Sequence, residues 1–200
     1  MSSVCSDGMV LQQNTEAVIW GTSDAGAQVT VTPSWNGKGY RCKADSDGKW
    51  SVKVETPAGS YKAYSIAVKG GGASLKISDV LVGEVWLASG QSNMEMPMRG
   101  FFNCPVENAI EYISAPAAKE KIRMFTVPLK QSYEPLTEVD AKWEGAEPAT
   151  VPGMSATAFF FARKINQMLD IPVGVVSCAY GGARIESWTP KEILETYPDE

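Results

Sequence analysis

The chain has 200 residues, with 18 lysines and arginines against 23 aspartates and glutamates, a formal charge of −5, four cysteines and no histidine. The missing histidine excludes a Ser-His-Asp or Cys-His pair built from these residues alone, and any metal site that uses imidazole. A composition of 44% hydrophobic and 20% charged residues is that of a globular protein with a real core, and its acidity leaves no basic stripe for nucleic acid.

Met1–Gln13 has neither the basic start nor the apolar run of a signal peptide. No stretch approaches the ~20 apolar residues of a membrane span. These features suit either a cytoplasmic protein or one whose leader is not part of this sequence. From there to about Lys76 the chain reads as all-β. Ala17–Gly21 is short and apolar, and Val29–Thr32, Trp50–Val54, Tyr64–Val68 and Leu75–Ile77 alternate with period two. Such alternation sets one face of a strand in a core and the other in water. Asn36-Gly37, Asp47-Gly48 and Pro57-Ala58-Gly59 supply tight reversals between the runs. Short strands at this spacing predict a small β-sandwich.

Near residue 79 the pattern changes. Asp79–Ala88 is apolar with little alternation, which suits a strand covered on both faces, as in a parallel sheet. Lys121–Val127 reads as a further strand and Gln131–Pro152 as an irregular surface connection. Ser155–Leu169 reads as a helix with Ser155 as its cap and Phe161, Ile165, Met168 and Leu169 as its apolar stripe. Val173–Ala179 is another buried-strand candidate. Thr189-Pro190-Lys191-Glu192 has the form of a helix start. The expectation is a β-domain over residues 1–78 and an α/β domain over 79–200. By this reading the α/β domain is incomplete, short of the about five strands of a doubly wound sheet.

Two loops follow the buried strands, where ligands sit in open α/β sheets. The first is Ser89-Gly90-Gln91-Ser92-Asn93-Met94 and the other runs from Tyr180-Gly181-Gly182 to Trp188. Ser92 is the candidate nucleophile, on a sharp turn that Gly90 permits. Its own N–H and one from Gly181-Gly182 are candidate donors to an oxyanion. Arg184 reads either as a partner for a substrate carboxylate or as an ion pair with Glu186. Trp188 reads as a wall of the site or as packing, and so do Phe101, Phe102, Asn103 and Cys104. The long, irregular cysteine spacings indicate free thiols, with Cys178 packed as a small apolar residue; in an exported protein one disulfide is the other reading.

Gly90-Gln91-Ser92-Asn93-Met94, preceded by Gly83-Glu84-Val85-Trp86, resembles the first block of SGNH (GDSL-type) hydrolases, and more narrowly of the sialate O-acetylesterase group of carbohydrate esterases. Ser6–Gln13 with Val18–Gly21, Asp45–Trp50, and the loop Gly181–Trp188 resemble further segments of that group, in order along nearly the whole chain. The resemblance implies a β-sandwich followed by an incomplete three-layer α/β/α domain with a parallel sheet. It implies a serine esterase that removes O-acetyl groups from sialic acids without metal or cofactor. Ser92 is then the nucleophile, Ser92 and Gly182 the oxyanion donors, and Gln91, Asn93 and Arg184 substrate-binding residues. The family's general base, a histidine in an Asp-x-x-His block, has no match here. The resemblance therefore implies a fragment inactive alone, completed by a C-terminal segment on a companion chain or covered by self-association, and a periplasmic or secreted setting. Two other readings stand beside it: an esterase for acetylated xylan, and a non-catalytic carbohydrate-binding protein using Trp20, Trp35 or Trp50.

Overall fold

Alternating strands in the first half pair into two layers. The computed structural model describes residues 1–114, 121–132 and 134–197. One layer is the antiparallel pair β2 (Glu16–Thr22) and β5 (Lys49–Glu55). The other contains β3 (Gln28–Pro33), β4 (Tyr40–Lys43), β6 (Ser60–Gly70) and the lower part of β7 (Ala73–Gly90), in the order β4-β3-β6-β7. Ile19, Val54, Val29, Val31, Ile66, Ile77 and Trp50 fill the space between them. This is the expected small sandwich. Gly37 (φ 66°) and Gly48 (φ 76°) take the left-handed backbone at the two Xaa-Gly turns, where a Cβ is disfavoured.

Strand β7 is longer than either run foreseen from the sequence. It joins Leu75–Ile77 to Asp79–Ala88 through a kink at Asp79, whose φ is 55°. The expected boundary at residues 78 and 79 falls inside this strand. Strand β7 pairs antiparallel with β6 below the kink and, in a broken register, at Val80 and Val82 above it. Above it β7 pairs parallel with β10 (Val173–Ala179), and at residues 81–83 with the short β1 (Val10–Gln12). Strand β10 pairs parallel with β8 (Ile122–Thr126), which pairs antiparallel with β9 (Trp143–Gly145). The fold is α/β, on a mixed sheet with a parallel centre.

Helix α3 (Ala156–Leu169) covers one face of that centre. Ser155 caps it as expected: its Oγ accepts the Ala158 N–H at 3.2 Å. Of the foreseen apolar stripe, Ile165 alone packs against the buried core. Phe161, Met168 and Leu169 are 41%, 67% and 50% exposed, whereas Ala158, Phe159, Ala162 and Asn166 are buried. Small alanines let the helix approach the sheet closely, and a count of large apolar residues does not register an alanine face. Phe161 instead meets Trp86 edge to face, centroids 5.1 Å apart. The opposite face of β8 is covered by the N-terminal segment. Phe125 packs with Trp143, Cys5 and Met9, and the Trp143 indole N–H donates to Val4 O at 2.8 Å.

Among the described residues three short helices complete the set: α1 (Ser92–Glu95), α2 (Ala109–Ser114) and α4 (Lys191–Leu194). Thr189 does not cap α4. Pro190 holds the cap position without a side-chain bond, and Thr189 Oγ1 donates backward to Ile185 O at 3.0 Å. Tyr133, in the long Gln131–Pro152 connection, and residues 198–200, after α4, lie outside the described residues. Among the described residues no helix is long and apolar enough to cross a membrane, and all four cysteines are unpaired.

Candidate active site

The parallel pairing of β7 with β10 brings both loops to one edge. In register, Gly90 lies opposite Ala179, and the Tyr180 N–H donates to Gly90 O at 3.0 Å. Gly90 has φ 146°, a backbone that an L side chain rarely adopts, and it turns the chain out of β7 into α1. Ser92 is the first residue of α1 and is exposed. Its hydroxyl makes no hydrogen bond among the described residues.

The serine turn is braced from beneath. Met94 and Glu95 N–H groups both donate to Gln91 O at 2.9 Å. Ser155 Oγ donates to Met94 O at 2.6 Å and Thr157 Oγ1 to Asn93 O at 3.0 Å. The start of α3 thus holds the serine turn through two hydroxyls.

Across from it, residues 180–183 form a tight turn closed by the Ala183 N–H to Tyr180 O at 3.1 Å. Its two glycines do different work. Gly182 has φ 76° and open space where a Cβ would stand, so its backbone is what requires glycine. Gly181 faces the serine turn: a Cβ there would sit 2.8 Å from Glu95 Oε2 and 3.7 Å from Ser92 Cα.

A cleft of about 580 Å³ opens beside this turn, lined by Lys130, Gln131, Tyr180, Gly182, Arg184 and Trp188 among others. Gln131 Nε2 donates to Tyr180 Oη at 3.0 Å and so ties its two sides together. Of the foreseen residues, Ser92 and Gly181 come together. Gly182 and Arg184 line the cleft. Arg184 is exposed and forms no ion pair with Glu186 or any other described residue, which corrects the structural alternative. Gln91 and Asn93 are exposed on the serine turn and stand outside the cleft. A smaller cleft of about 210 Å³ is lined by Glu95, Arg99, Phe101 and Ser155 among others; Phe102 projects into solvent.

Cys178 also lines the larger cleft, and burial pushes its thiol above the usual value. At neutral pH it stays protonated and does not compete with a serine as nucleophile. Among the described residues no three His, Cys, Asp or Glu side chains converge to hold a metal ion. Glu95 was not foreseen as part of the site: its partner, the Gly181 N–H, lies far along the chain. Of the three tryptophans considered for sugar stacking, Trp50 is buried and Trp35 packs edge-on against Tyr64; Trp20 alone of them is exposed.

The sequence model of the carbohydrate esterase, sialic acid-specific acetylesterase family matches residues 82–199. Over 97% of its length the chain is 35% identical to the sialate O-acetylesterase of Mus musculus and 34% identical to that of Homo sapiens. Those alignments cover 38% and 39% of the mammalian proteins. The fold is similar to that of XAC1771, a carbohydrate acetylesterase from Xanthomonas citri, with a TM-score of 0.87 and 31% identity over 100% of this chain and 44% of that one. The chain spans less than half the length of these relatives. A family match across more than half the chain, in a segment that contains both the serine turn and the diglycine loop, shows that this chain belongs to the sialic acid-specific acetylesterase family of carbohydrate esterases.

Proposed function

We propose that this chain carries the nucleophile-bearing part of a serine esterase that removes O-acetyl groups from sialic acids. The observation that supports it most is the meeting of Ser92 with the Gly181–Gly182 loop at the carboxyl edge of parallel strands. Ser92 Oγ attacks the acetyl carbon. The Oγ–C bond forms, the negative charge collects on the carbonyl oxygen, and the N–H groups of Ser92 and Gly182 receive it. The C–O bond to the sugar then breaks, and the serine's proton travels through a base to the departing sugar oxygen. Water releases acetate from the acyl-enzyme in the second half. Arg184 and Lys130 in the cleft suit a sugar that bears a carboxylate, with Tyr180 and Trp188 beside it. Gln91 and Asn93 contribute from the serine turn. No metal or cofactor enters these steps.

The base is the part these residues do not supply, since the sequence has no histidine. We place it on residues outside these 200, on a longer or a companion chain. In this reading residues 79–200 carry the chemistry and residues 1–78 support it, and the setting is the periplasm or the cell exterior, where acetylated glycans are displayed.

The expected behaviour of the 200-residue chain is negligible turnover of acetyl esters. With imidazole in solution as a substitute base, incubation with 4-nitrophenyl acetate should add the mass of one acetyl group to the tryptic peptide containing Ser92. Ser92→Ala should abolish the adduct. No adduct on that peptide, or an adduct there that survives Ser92→Ala, would overturn the assignment. Given a complete base, faster deacetylation of acetylxylan than of O-acetylated sialic acid would move the substrate to a neutral glycan.

A further inference from the structure

Glu95 ends the helical turn that Ser92 begins. Its Oε2 accepts the N–H of Gly181 across the gap between the two loops. Among the described residues this is the hydrogen bond that ties the tip of the diglycine loop, residues 181–183, to the serine turn. The base of the loop is held separately, by the Tyr180 N–H on Gly90 O, and the tip closes on itself through Ala183. A carboxylate that accepts a backbone N–H makes a bond about twice as strong as a neutral one. The side chain is half-buried and reaches the amide only because residue 181 has no Cβ. The Gly181 N–H is therefore consumed; among the described residues the Gly182 N–H donates to no partner, and open space lies where a Gly182 Cβ would stand.

We infer that Glu95 is a positioning residue for the diglycine loop: its carboxylate locks Gly181 against the serine turn and so fixes the Gly182 N–H beside Ser92. The inference deepens the esterase reading and rests on it for its chemical consequence, though not for the contact itself. Glu95 touches no reacting atom and acts only through the loop. A donor displaced by an ångström from where the oxyanion forms loses about a hundredfold in rate.

The test uses the isotopically labelled 200-residue chain with Glu95→Gln and Glu95→Ala. In the wild type the Gly181 amide proton should resonate far downfield and exchange slowly with solvent. Glu95→Ala should speed exchange at Gly181 and Gly182 by about tenfold or more, with the amides of β10 and α3 unchanged as proof of an intact fold. Glu95→Gln keeps an acceptor, so it should hold the loop and move Gly181 upfield. Imidazole-assisted acetylation of Ser92 should fall about tenfold to a hundredfold in Glu95→Ala at saturating acetyl donor, with the half-saturating donor concentration unchanged, and recover most of that in Glu95→Gln. Unchanged exchange at Gly181 and Gly182 in Glu95→Ala overturns the inference whatever the chain's activity. A loosened loop with undiminished acetylation overturns the positioning role. A loosened loop in a chain whose Ser92 is never acetylated overturns the esterase reading and, with it, the oxyanion role assigned to the loop.

Discussion

Cys5, Cys42 and Cys178 have thiols pushed above the usual 9.0 by burial, Cys5 furthest, to about 11. For Cys5 the desolvation of a thiolate outweighs the Trp20 backbone contact that pulls the other way. The folded chain therefore holds this proton more tightly than the unfolded one. Its contribution to stability is complete below pH 9.0 and is lost as pH rises through about 11. Two units correspond to at most about 3 kcal/mol. Urea unfolding on either side of that window should show a steep alkaline loss in the wild type and a shallower one in Cys5→Ala. The comparison is of slopes, because the substitution also leaves a small void. Equal slopes would mean that Cys5 is not the responsible group. The same burial orders reactivity: a thiol reagent at neutral pH should label exposed Cys104 first and Cys5 last, read by mass spectrometry of tryptic peptides.

At the scale of elements, Ser155 couples two of them. It is buried, accepts the Ala158 N–H as the cap of α3, and donates to Met94 O at the end of the serine turn. Ser155→Ala removes a cap and orphans a carbonyl, and should cost about 1–3 kcal/mol in chemical denaturation. Amide exchange at Met94 and Glu95 should quicken more than in the β-sandwich; a uniform change would mean that the cap alone matters. The cap was legible in the sequence because it needs only one residue type before a helical run. So were β2, β3, β5, β6 and β10, whose apolar residues repeat or cluster. Strands β1, β4 and β9 were not foreseen. Their three or four residues are too few to show a period, and β9 holds its place through Trp143 packed on Phe125, a contact no local pattern announces. The buried face of α3 was misread for a related reason: alanine carries little hydrophobic signal yet decides how closely a helix can approach. At the site, Ser92 and the two glycines were legible from their position after buried strands. Glu95 was not, because its role depends on a partner far along the chain.

At the scale of the whole molecule, strand β7 belongs to both halves, and polar groups, the buried Arg123 among them, clasp it where it passes between them. Arg123, buried on β8, donates to Gly8 O at 2.7 Å, to the Asp79 carboxylate at 2.7 Å and to the Asp79 carbonyl. Gln12 and Gln13 both donate to Glu84 Oε1, at 3.2 and 2.9 Å, while Gln12 Oε1 accepts the Val85 N–H at 2.8 Å. Val80, Leu81 and Val82, just past the kink, are among the most buried residues of the chain. The division at residues 78 and 79 is thus proposed as one of function, and folding is expected not to respect it. Cutting there would sever β7 beside its best-packed segment, so residues 1–78 alone should not give a cooperative transition. In the whole chain, the fluorescence of the six tryptophans and the far-ultraviolet circular dichroism should report one coincident unfolding curve. Arg123→Met keeps the length of the side chain and removes its donors, which leaves the Gly8 and Asp79 carbonyls short of a partner. The Asp79 side chain is 60% exposed, so its charge can be resolvated and adds little to the cost. The expected loss is about 2–4 kcal/mol, with the transition still single. Asp79→Asn should cost less than Arg123→Met, because asparagine tolerates the left-handed backbone at that kink and leaves Arg123 its carbonyl partners. If Arg123→Met instead splits the curve into two, the clasp rather than the shared strand is what makes the halves fold together.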